Sequence, residues 1–412
     1  MRQMRIGLLV LAVAGCGAGS TGADGAVDLD GGAVDQAMAA GDLTMSGAPD
    51  LSTCPGTKDN CGLPGQCAAC PQLPNTVATC VDNKCGSMCA ANATTCTGVC
   101  TDTMNDNLNC GACGHSCLGG LCSAGRCQAN LLGEVAPEAA RLVVDDYNAY
   151  VTTYDAKVGT VFWLAFTGGA PPIIAQNQAG ALGVAVDKSF VYWTDYDGGT
   201  ISRAPNPSSG GGGNPGVIAM NQAKASDIVV DAANIYWVNA GDGTVMKMPL
   251  GGGNPVAIAS NQNGPWRMAI DANNVYWTTN SGGTVMQLAK AGGNPVQIAA
   301  GQSQPNGVAV DAKNVYWVTT NDGTVKSAPI GGGQVTTLAV GQKNPQGVVA
   351  DADAVWWTNL DDGVKGSVMS LAHNAQMPVI VANTPNGPTG ITISATSVFF
   401  TNKLGEVYRI AK

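Results

Sequence analysis

Polar and aromatic side chains recur in the second half of the chain, where Gly, Asn and Asp predict turns. Carboxylate and amide oxygens at such points can cap a turn or hold a hard cation such as Ca²⁺, and an exposed Trp beside an Arg is typical of a binding hot spot. The alternative is that the aspartates only form turns and that Trp266 packs beneath its own loop. The candidate binding face defined in this way consists of Asp195, Asp242, Trp266, Arg267, Asp322 and Asp361.

Catalytic chemistry has few candidates in the same region. General acid–base catalysis draws mainly on His and Glu, whose pKa is readily tuned toward neutral. From residue 129 onward the chain has one histidine, His373, and three glutamates, Glu134, Glu138 and Glu406. It has no G-x-S-x-G elbow, H-E-x-x-H motif or phosphate-binding loop. The sequence therefore predicts a binding protein and no enzyme, with no catalytic residue and no cofactor apart from a Ca²⁺ that the aspartates could hold.

The candidate residues lie in a sequence repeat whose copies are 40 to 44 residues apart. Five positions after a marker residue stands an aromatic in every copy, and six positions after it stands a Trp in five copies. Adjacent strand residues point to opposite faces, so both rings are buried only if the sheet is covered on both sides. We expect the rings to form the core and the marker aspartates to cap turns rather than bind metal. The marker residues are Asp145, Asp187, Asp231, Asp271, Asp311, Asp351 and Ser394.

Each copy divides into four strand-like segments, a to d, which in the fourth copy are RMAID, NVYWTT, GTVMQLAK and NPVQIAA. Short polar and Gly-containing turns join them, and a four-stranded meander at this period is a propeller blade. The seventh copy stops after its third strand, whereas residues 130–134 (NLLGE) supply a spare strand before the first copy. We therefore predict an all-β, seven-bladed propeller over residues 129–412 that this N-terminal strand closes.

The Tyr-Trp-Thr strings resemble those of the YWTD propellers of lipoprotein receptors and of NHL-type bacterial propellers, although only residues 192–195 read YWTD in full. The resemblance implies that the b–c turns and d–a connections share one face, with His373 on the opposite face. Streptogramin lyases and gluconolactonase-type hydrolases are also propellers. A metal-dependent lyase or lactonase-type hydrolase is therefore the alternative function, and a structural envelope spacer is a third.

Fourteen of the 15 cysteines lie between Cys54 and Cys127. An even, compact set predicts a disulfide framework formed outside the reducing cytoplasm. Two C-x-x-C pairs, Cys67/Cys70 and Cys110/Cys113, would also suit zinc, but His115 is the one histidine nearby, so seven disulfides are favoured. The string TDTMNDNLNCGACGHSC resembles cysteine-rich modules of myxobacterial surface proteins. We predict that residues 54–128 form a small disulfide-rich module.

The remaining cysteine, Cys16, follows two arginines and a short apolar run. Val13-Ala14-Gly15-Cys16 resembles the lipobox of bacterial lipoproteins, which implies cleavage before Cys16 and its acylation; an ordinary secretory signal is the alternative. Residues 1–15 are then the signal peptide. Residues 16–53 are rich in Gly, Ala, Ser and Asp and contain no aromatic, which predicts a disordered tether.

The formal net charge is −9 and only 12% of residues are charged, which argues against nucleic-acid binding. Together these patterns predict a monomeric, lipid-anchored protein at the outer membrane or cell surface. Its expected partners are the membrane, through the lipid, and a protein or glycan ligand.

Overall fold

A computed structural model describes residues 69–81, 84–210, 213–361 and 365–412. The predicted signal peptide, the lipidation site Cys16, the tether 16–53 and the first three cysteines of the block lie outside the described residues. Within the described ranges, no helix combines the length and the apolar composition needed to cross a bilayer.

The disulfide-rich segment is built from three small hairpins. Their strands are β1 (Thr76–Val81) with β2 (Lys84–Cys89), β3 (Thr94–Cys96) with β4 (Val99–Thr101), and β5 (Cys122–Ser123) with β6 (Arg126–Cys127). Five disulfides cross-link them: Cys70–Cys85, Cys89–Cys100, Cys96–Cys113, Cys110–Cys122 and Cys117–Cys127. The sulfurs of Cys110, Cys117 and Cys122 lie within 4.8 Å of one another, but as disulfides they offer no thiolate to zinc. The disulfide prediction is thus confirmed for these cysteines.

Seven four-stranded antiparallel sheets follow, as predicted. Blade 1 contains β8 (Ala139–Val144), β9 (Asn148–Thr153), β10 (Gly159–Ala165) and β11 (Ile173–Gln178). Blade 2 contains β12 (Ala181–Val186), β13 (Phe190–Asp195), β14 (Thr200–Pro205) and β15 (Gly216–Met220), with a 3-10 turn at Pro207–Ser209. Blade 3 contains β16 (Ala225–Val230), β17 (Asn234–Asn239), β18 (Thr244–Pro249) and β19 (Val256–Ala259). Blade 4 contains β20 (Pro265–Ile270), β21 (Asn274–Thr279), β22 (Thr284–Ala289) and β23 (Val296–Ala299).

Blade 5 contains β24 (Pro305–Val310), β25 (Asn314–Thr319), β26 (Thr324–Pro329) and β27 (Thr336–Ala339). Blade 6 contains β28 (Pro345–Ala350), β29 (Ala354–Asn359), β30 (Lys365–Ala372) and β31 (Val379–Pro385). Blade 7 contains β32 (Pro388–Ile393), β33 (Ser397–Asn402), β34 (Glu406–Ala411) and, as its outer strand, β7 (Asn130–Glu134). The first strand of each blade packs against the first strand of the next, so the seven a strands surround the central channel.

Strand β7 closes the ring, as predicted from the spare strand. It pairs antiparallel with β34, with Glu134 opposite Glu406 and Leu131 opposite Tyr408. Leu132 is 4% exposed and packs into the cluster that contains Val407. The closing strand therefore joins the two ends of the propeller and covers an otherwise open sheet edge.

The aromatic pairs form the core, also as predicted. The Trp of one blade packs with the Tyr of the preceding blade, as Trp237 does with Tyr192 and Trp277 does with Tyr236. All five of these tryptophans are fully buried. Each indole Nε1 donates a hydrogen bond of 2.8 to 3.0 Å to a Gln fifteen residues earlier, in the pairs Trp193–Gln178, Trp237–Gln222, Trp277–Gln262, Trp317–Gln302 and Trp357–Gln342.

The marker aspartates cap the a–b turns, and some of them also join neighbouring blades. In blade 3, Asp231 Oδ1 accepts hydrogen bonds from the backbone N–H groups of Ala233 and Asn234, while Oδ2 accepts one from Tyr236. The same Oδ2 lies 2.8 Å from Nζ of Lys290, which belongs to blade 4. Burial alone would raise the pKa of Asp231, but the ammonium and the N–H groups outweigh it and lower that pKa.

The second half of the disulfide-rich segment rests on the propeller. Cys117 and Cys127 share one apolar cluster with Trp356 and Phe400. The His115 ring lies between two carbonyl oxygens, with Nδ1 2.6 Å from Cys110 O and Nε2 2.7 Å from Lys412 O. The segment therefore shares a core with blades 6 and 7 and does not stand apart from them.

Candidate functional site

The b–c turns and the d–a connections form one face of the ring, here called the upper face. Backbone hydrogen bonds join them, for example from Gly241 N to Ala223 O and from Gly282 N to Asn263 O, both 2.9 Å. The a–b turns and c–d connections meet on the opposite, lower face, where His373 N donates to Asp353 O. His373 is thus remote from the candidate binding face.

Asp195 does not present its carboxylate at the upper face. It is 4% exposed, and its Oδ2 accepts hydrogen bonds from Thr200 Oγ1 at 2.7 Å and Ser202 Oγ at 3.1 Å. Burial raises the pKa of this carboxyl. Asp195 is buried because it is the last residue of β13, where its side chain still points between the sheets. This aspartate supports the turn from below.

The other three aspartates lie in b–c turns at the upper face, and the carboxylates of Asp242 and Asp322 contact residues of their own hairpins. Asp242 Oδ1 accepts from Thr244 N at 3.1 Å and from Thr244 Oγ1 at 2.7 Å. Asp322 pairs with Lys326 Nζ at 3.3 Å. Asp361 occupies the left-handed region at φ 50° and is half-buried. The structure therefore does not gather the aspartates into one carboxylate cluster.

Trp266 and Arg267 are brought together with two residues that sequence reasoning missed. The Arg267 guanidinium lies 5.0 Å from the centre of the Trp266 ring, and Tyr196 meets that ring edge-on at 6.1 Å. Lys224 Nζ lies 5.5 Å from the centre of the Tyr196 ring. Trp266 is the second residue of β20, an inner strand, and not a loop residue as predicted. We call these four residues the aromatic–cationic cluster.

Three members of the cluster, Tyr196, Lys224 and Trp266, border a cavity of about 590 Å³ that opens on the upper face, whereas Arg267 lines the central channel. Amides and hydroxyls form much of the remaining wall, contributed by Asn280, Ser281, Gln304, Asn306, Thr320 and Gln346. Asn306 and Gln346 also line a second cavity of about 180 Å³, in the central channel. The two cavities therefore share a wall at the channel mouth.

The channel lining follows one position of the repeat, four residues before the marker. Glycine occupies it in blades 2, 5, 6 and 7, and the inner strands approach closely there: a Cβ on Gly307 would lie 2.7 Å from Gln346 O. Blades 1, 3 and 4 carry Arg141, Asp227 and Arg267 instead. The channel is thus charged on one side and lined by backbone and amides on the other.

Asp227 and Arg141 perturb one another within the channel. Asp227 is 9% exposed, and its Oδ2 accepts a hydrogen bond from Met268 N at 2.8 Å. Burial raises the pKa of Asp227 to about 6, although the Arg141 charge opposes this rise. Burial likewise lowers the pKa of Arg141 to about 10, against the attraction of Asp227. Arg141 therefore has a counter-charge in the channel.

Arg267, the second arginine of the channel lining, has different partners from Arg141. Arg267 Nη1 lies 3.4 Å from Ser226 O, and no carboxylate of the described ranges lies within ion-pair distance of Arg267. Its charge is uncompensated by a direct partner at the channel mouth.

The amide pair at the channel mouth is oriented. Asn306 Nδ2 donates to Gln346 Oε1 at 2.9 Å, and Gln346 Nε2 donates to Asn344 Oδ1 at 2.6 Å. Asn306 is 7% exposed, and its Oδ1 accepts no hydrogen bond from any described residue. An acceptor buried without a donor is costly, so this oxygen is a polar atom that the described residues leave unsatisfied.

The donor set of the channel suits a divalent cation poorly. Such an ion takes several carboxylate or carbonyl oxygens, whereas the described residues of the lining offer one carboxylate, Asp227, together with the guanidinium groups of Arg141 and Arg267. Two positive charges beside the site would repel a dication. The arrangement suits an anion or a neutral polar group better.

A third cavity, of about 660 Å³, lies on the lower face between blades 5 and 6. His373 Nε2 lies 3.6 Å from Asp311 Oδ2 and 2.9 Å from Asp351 O, and its ring stacks on Tyr316 with centres 5.8 Å apart. The imidazole thus takes the place that Lys290 holds in blade 4, beside the marker aspartate of the preceding blade. Its contacts are those of a blade-to-blade link.

These features define the class of protein: a seven-bladed β-propeller preceded by a disulfide-rich segment. Neither a protein-family model nor a curated protein matches the chain. Among solved structures, virginiamycin B lyase from Staphylococcus aureus is similar with a TM-score of 0.57 at 12% identity, covering 69% of this chain and 98% of that one. A streptogramin B lyase gives 0.58 at 13% identity, with 68% and 96% covered. A WD40 β-propeller domain gives 0.55 at 12% identity, with 69% and 97% covered. Likeness at these identities shows the fold alone.

Proposed function

We propose that this protein is a lipid-anchored, extracytoplasmic binding protein whose upper face engages a glycan or a protein. The observation that carries the proposal is the aromatic–cationic cluster beside an open cavity. Trp, Tyr and Arg are the residues most often found at binding hot spots. Here they stand together at the channel mouth, as an exception to a repeat that buries its other aromatic pairs.

Binding accounts for the channel better than catalysis does. Among the described residues, Asp227 is the one carboxylate in the channel lining, and it is engaged by the Met268 N–H and by the Arg141 charge. The other two charged groups are arginines, which cannot give up a proton at neutral pH. Both histidines of the chain, His115 and His373, are engaged elsewhere, by carbonyls and on the lower face.

The anchoring half of the proposal rests on the lipobox-like string and on the disulfides. Disulfides persist outside the reducing cytoplasm, and a lipid on Cys16 would hold the propeller at a membrane surface through the segment 16–53. Replacing Cys16 by Ser should leave the protein in the aqueous phase when cell extracts are partitioned with a cloud-point detergent. Recovery of that variant in the detergent phase would contradict the anchor, while an unprocessed wild-type N-terminus in mass spectrometry would contradict the cleavage.

The binding half is tested by comparing two aromatic–arginine pairs on opposite faces. Phe190 lies at the lower end of β13 with the Arg203 guanidinium 4.2 Å from its ring centre, and so matches the Trp266–Arg267 pair. Purified wild-type, Trp266→Ala and Phe190→Ala proteins are immobilised and exposed to solubilised envelope polysaccharide and protein fractions. We expect retention by wild type and Phe190→Ala and loss in Trp266→Ala. Equal retention by all three would refute an upper-face site, and no retention by any would favour the spacer.

A further inference from the structure

The charges at the channel mouth indicate the class of ligand. The chain carries a formal net charge of −9, yet Lys224 lines the upper-face cavity and Arg267 lines the channel cavity that shares a wall with it. Neither makes an ion pair with any carboxylate of the described ranges. Two cations without a carboxylate partner on an acidic protein indicate a site for a negatively charged group.

The aromatic rings add a second requirement. Trp266 and Tyr196 are both half-buried, so each offers part of its ring to the cavity. The Arg267 guanidinium already lies over Trp266. A ligand that presents a flat face of C–H groups next to its anionic group could pack on a ring and meet the guanidinium at the same time.

The amides add a third requirement. Asn306 lines both cavities. Its Oδ1 is buried and receives no hydrogen bond from a described residue. Because Asn306 Nδ2 is committed to Gln346, the pair presents an acceptor. The ligand must therefore bring an O–H or N–H donor to within reach of the residues that meet its anionic group.

From this juxtaposition we propose that the upper-face cavity binds an acidic saccharide, a sugar that carries a carboxylate. The carboxylate pairs with Arg267, with Lys224 as a second cation at the rim. The sugar ring packs on Trp266, and a hydroxyl donates to Asn306 Oδ1. This inference rests on the proposed function and names its ligand class.

A peptide with a free carboxylate fits the same walls less well. The cavity wall beyond the two rings consists largely of amides and hydroxyls, which match the many hydroxyls of a sugar. An apolar side-chain pocket or an open sheet edge, the usual means of holding a peptide, is not seen in this cavity among the described residues. An acidic saccharide is therefore the ligand whose groups match the cations, the rings and the amides of this site.

The test is isothermal titration calorimetry of the full-length protein in detergent. The acidic probes are oligogalacturonate and oligoglucuronate, and their neutral counterparts are oligosaccharides of galactose and glucose. A tripeptide with a free carboxylate is the peptide probe. We expect acidic oligosaccharides to bind at least about 10-fold tighter than their neutral counterparts, because a charge-assisted hydrogen bond contributes about 1.5–3 kcal/mol. Arg267→Met should remove that difference by weakening the binding of the acidic oligosaccharides. Asn306→Asp should weaken acidic-sugar binding by about 10-fold or more, since it adds a like charge.

The matched control is Arg203→Met on the lower face, which should bind like wild type. Circular dichroism melting of every variant separates misfolding from a lost contact. Equal affinity for acidic and neutral sugars, or binding of the peptide but of no sugar, would overturn the saccharide. If no probe binds but Trp266→Ala still abolishes envelope retention, this inference fails while the proposed function stands. If retention does not depend on Trp266 either, both fail.

Discussion

The buried Trp–Gln hydrogen bonds lead to a graded prediction about stability. Gln342 Oε1 accepts from Trp357 Nε1 at 2.8 Å and from Asn359 Nδ2 at 3.0 Å. Gln262 Oε1 accepts only from Trp277 Nε1, at 3.0 Å. A buried donor left without its acceptor costs about 1–3 kcal/mol. We therefore expect Gln262→Ala to lower the free energy of unfolding by about 1–2 kcal/mol and Gln342→Ala by about 2–4 kcal/mol.

The control is Gln297→Ala, because Gln297 is an exposed outer-strand residue of the blade that contains Trp277, the partner of Gln262. It should change stability by less than about 0.5 kcal/mol. The assay is equilibrium urea unfolding followed by tryptophan fluorescence, in which five of the eight tryptophans are the rings in question. The urea midpoint should be highest for Gln297→Ala, lower for Gln262→Ala and lowest for Gln342→Ala, and any other order would refute the reasoning. So would a cost for Gln342→Ala no greater than that for Gln297→Ala.

Three further predictions address the other supports of the ring. Lys290→Ala should lower the free energy of unfolding in urea by about 1–2 kcal/mol, because both partners of its ion pair are mostly buried. The control, Lys313→Ala at an exposed position, should leave it unchanged, and equal effects of the two substitutions would contradict a blade link. Leu132→Ala should cost about 2–4 kcal/mol and the exposed neighbour Leu131→Ala far less, and the reverse order would contradict the closing strand. Because the pKa of Asp227 is raised to about 6, the folded state holds its proton more tightly, so unfolding free energy should fall as pH rises from about 4 to 6, by up to about 3 kcal/mol. Thermal melts at stepped pH should show Asp227→Asn lacking this contribution, and parallel profiles would refute it.

The sequence predicted the architecture well, because every blade repeats the same solution. A marker aspartate, an aromatic pair and four short strands recur at a near-constant step, and the missing seventh d strand points to β7. The Gln fifteen residues before each Trp was equally periodic and could have been found. Its role as the acceptor for the Trp indole could not be predicted from the sequence, because the hydrogen bond joins a d–a connection to the second strand of the next blade.

The candidate site was predicted only in part, for a physical reason. Trp266 and Arg267 were singled out as departures from the repeat, but their neighbours Tyr196 and Lys224 come from other blades. Only ring closure brings such residues together. Likewise His115 meets the carbonyl of Lys412 across 297 residues, a contact with no periodic signal. Asp195 was misplaced because a turn-forming residue type at a strand end can point inward.

The departures from the repeat are where function should be sought. The positions that recur in nearly every blade, namely the marker aspartate, the buried rings and the Gln partners, are committed to capping, packing and blade links. The channel-lining position is instead Gly in four blades and charged in three. The position before it carries Trp266, Asn306 and Gln346. A ring of equivalent blades produces no unique site by itself, so an asymmetric distribution of charge and amides at its mouth is difficult to explain by stability alone. Burying Asp227 beside two arginines costs free energy, and a ligand that needs those charges would explain that cost.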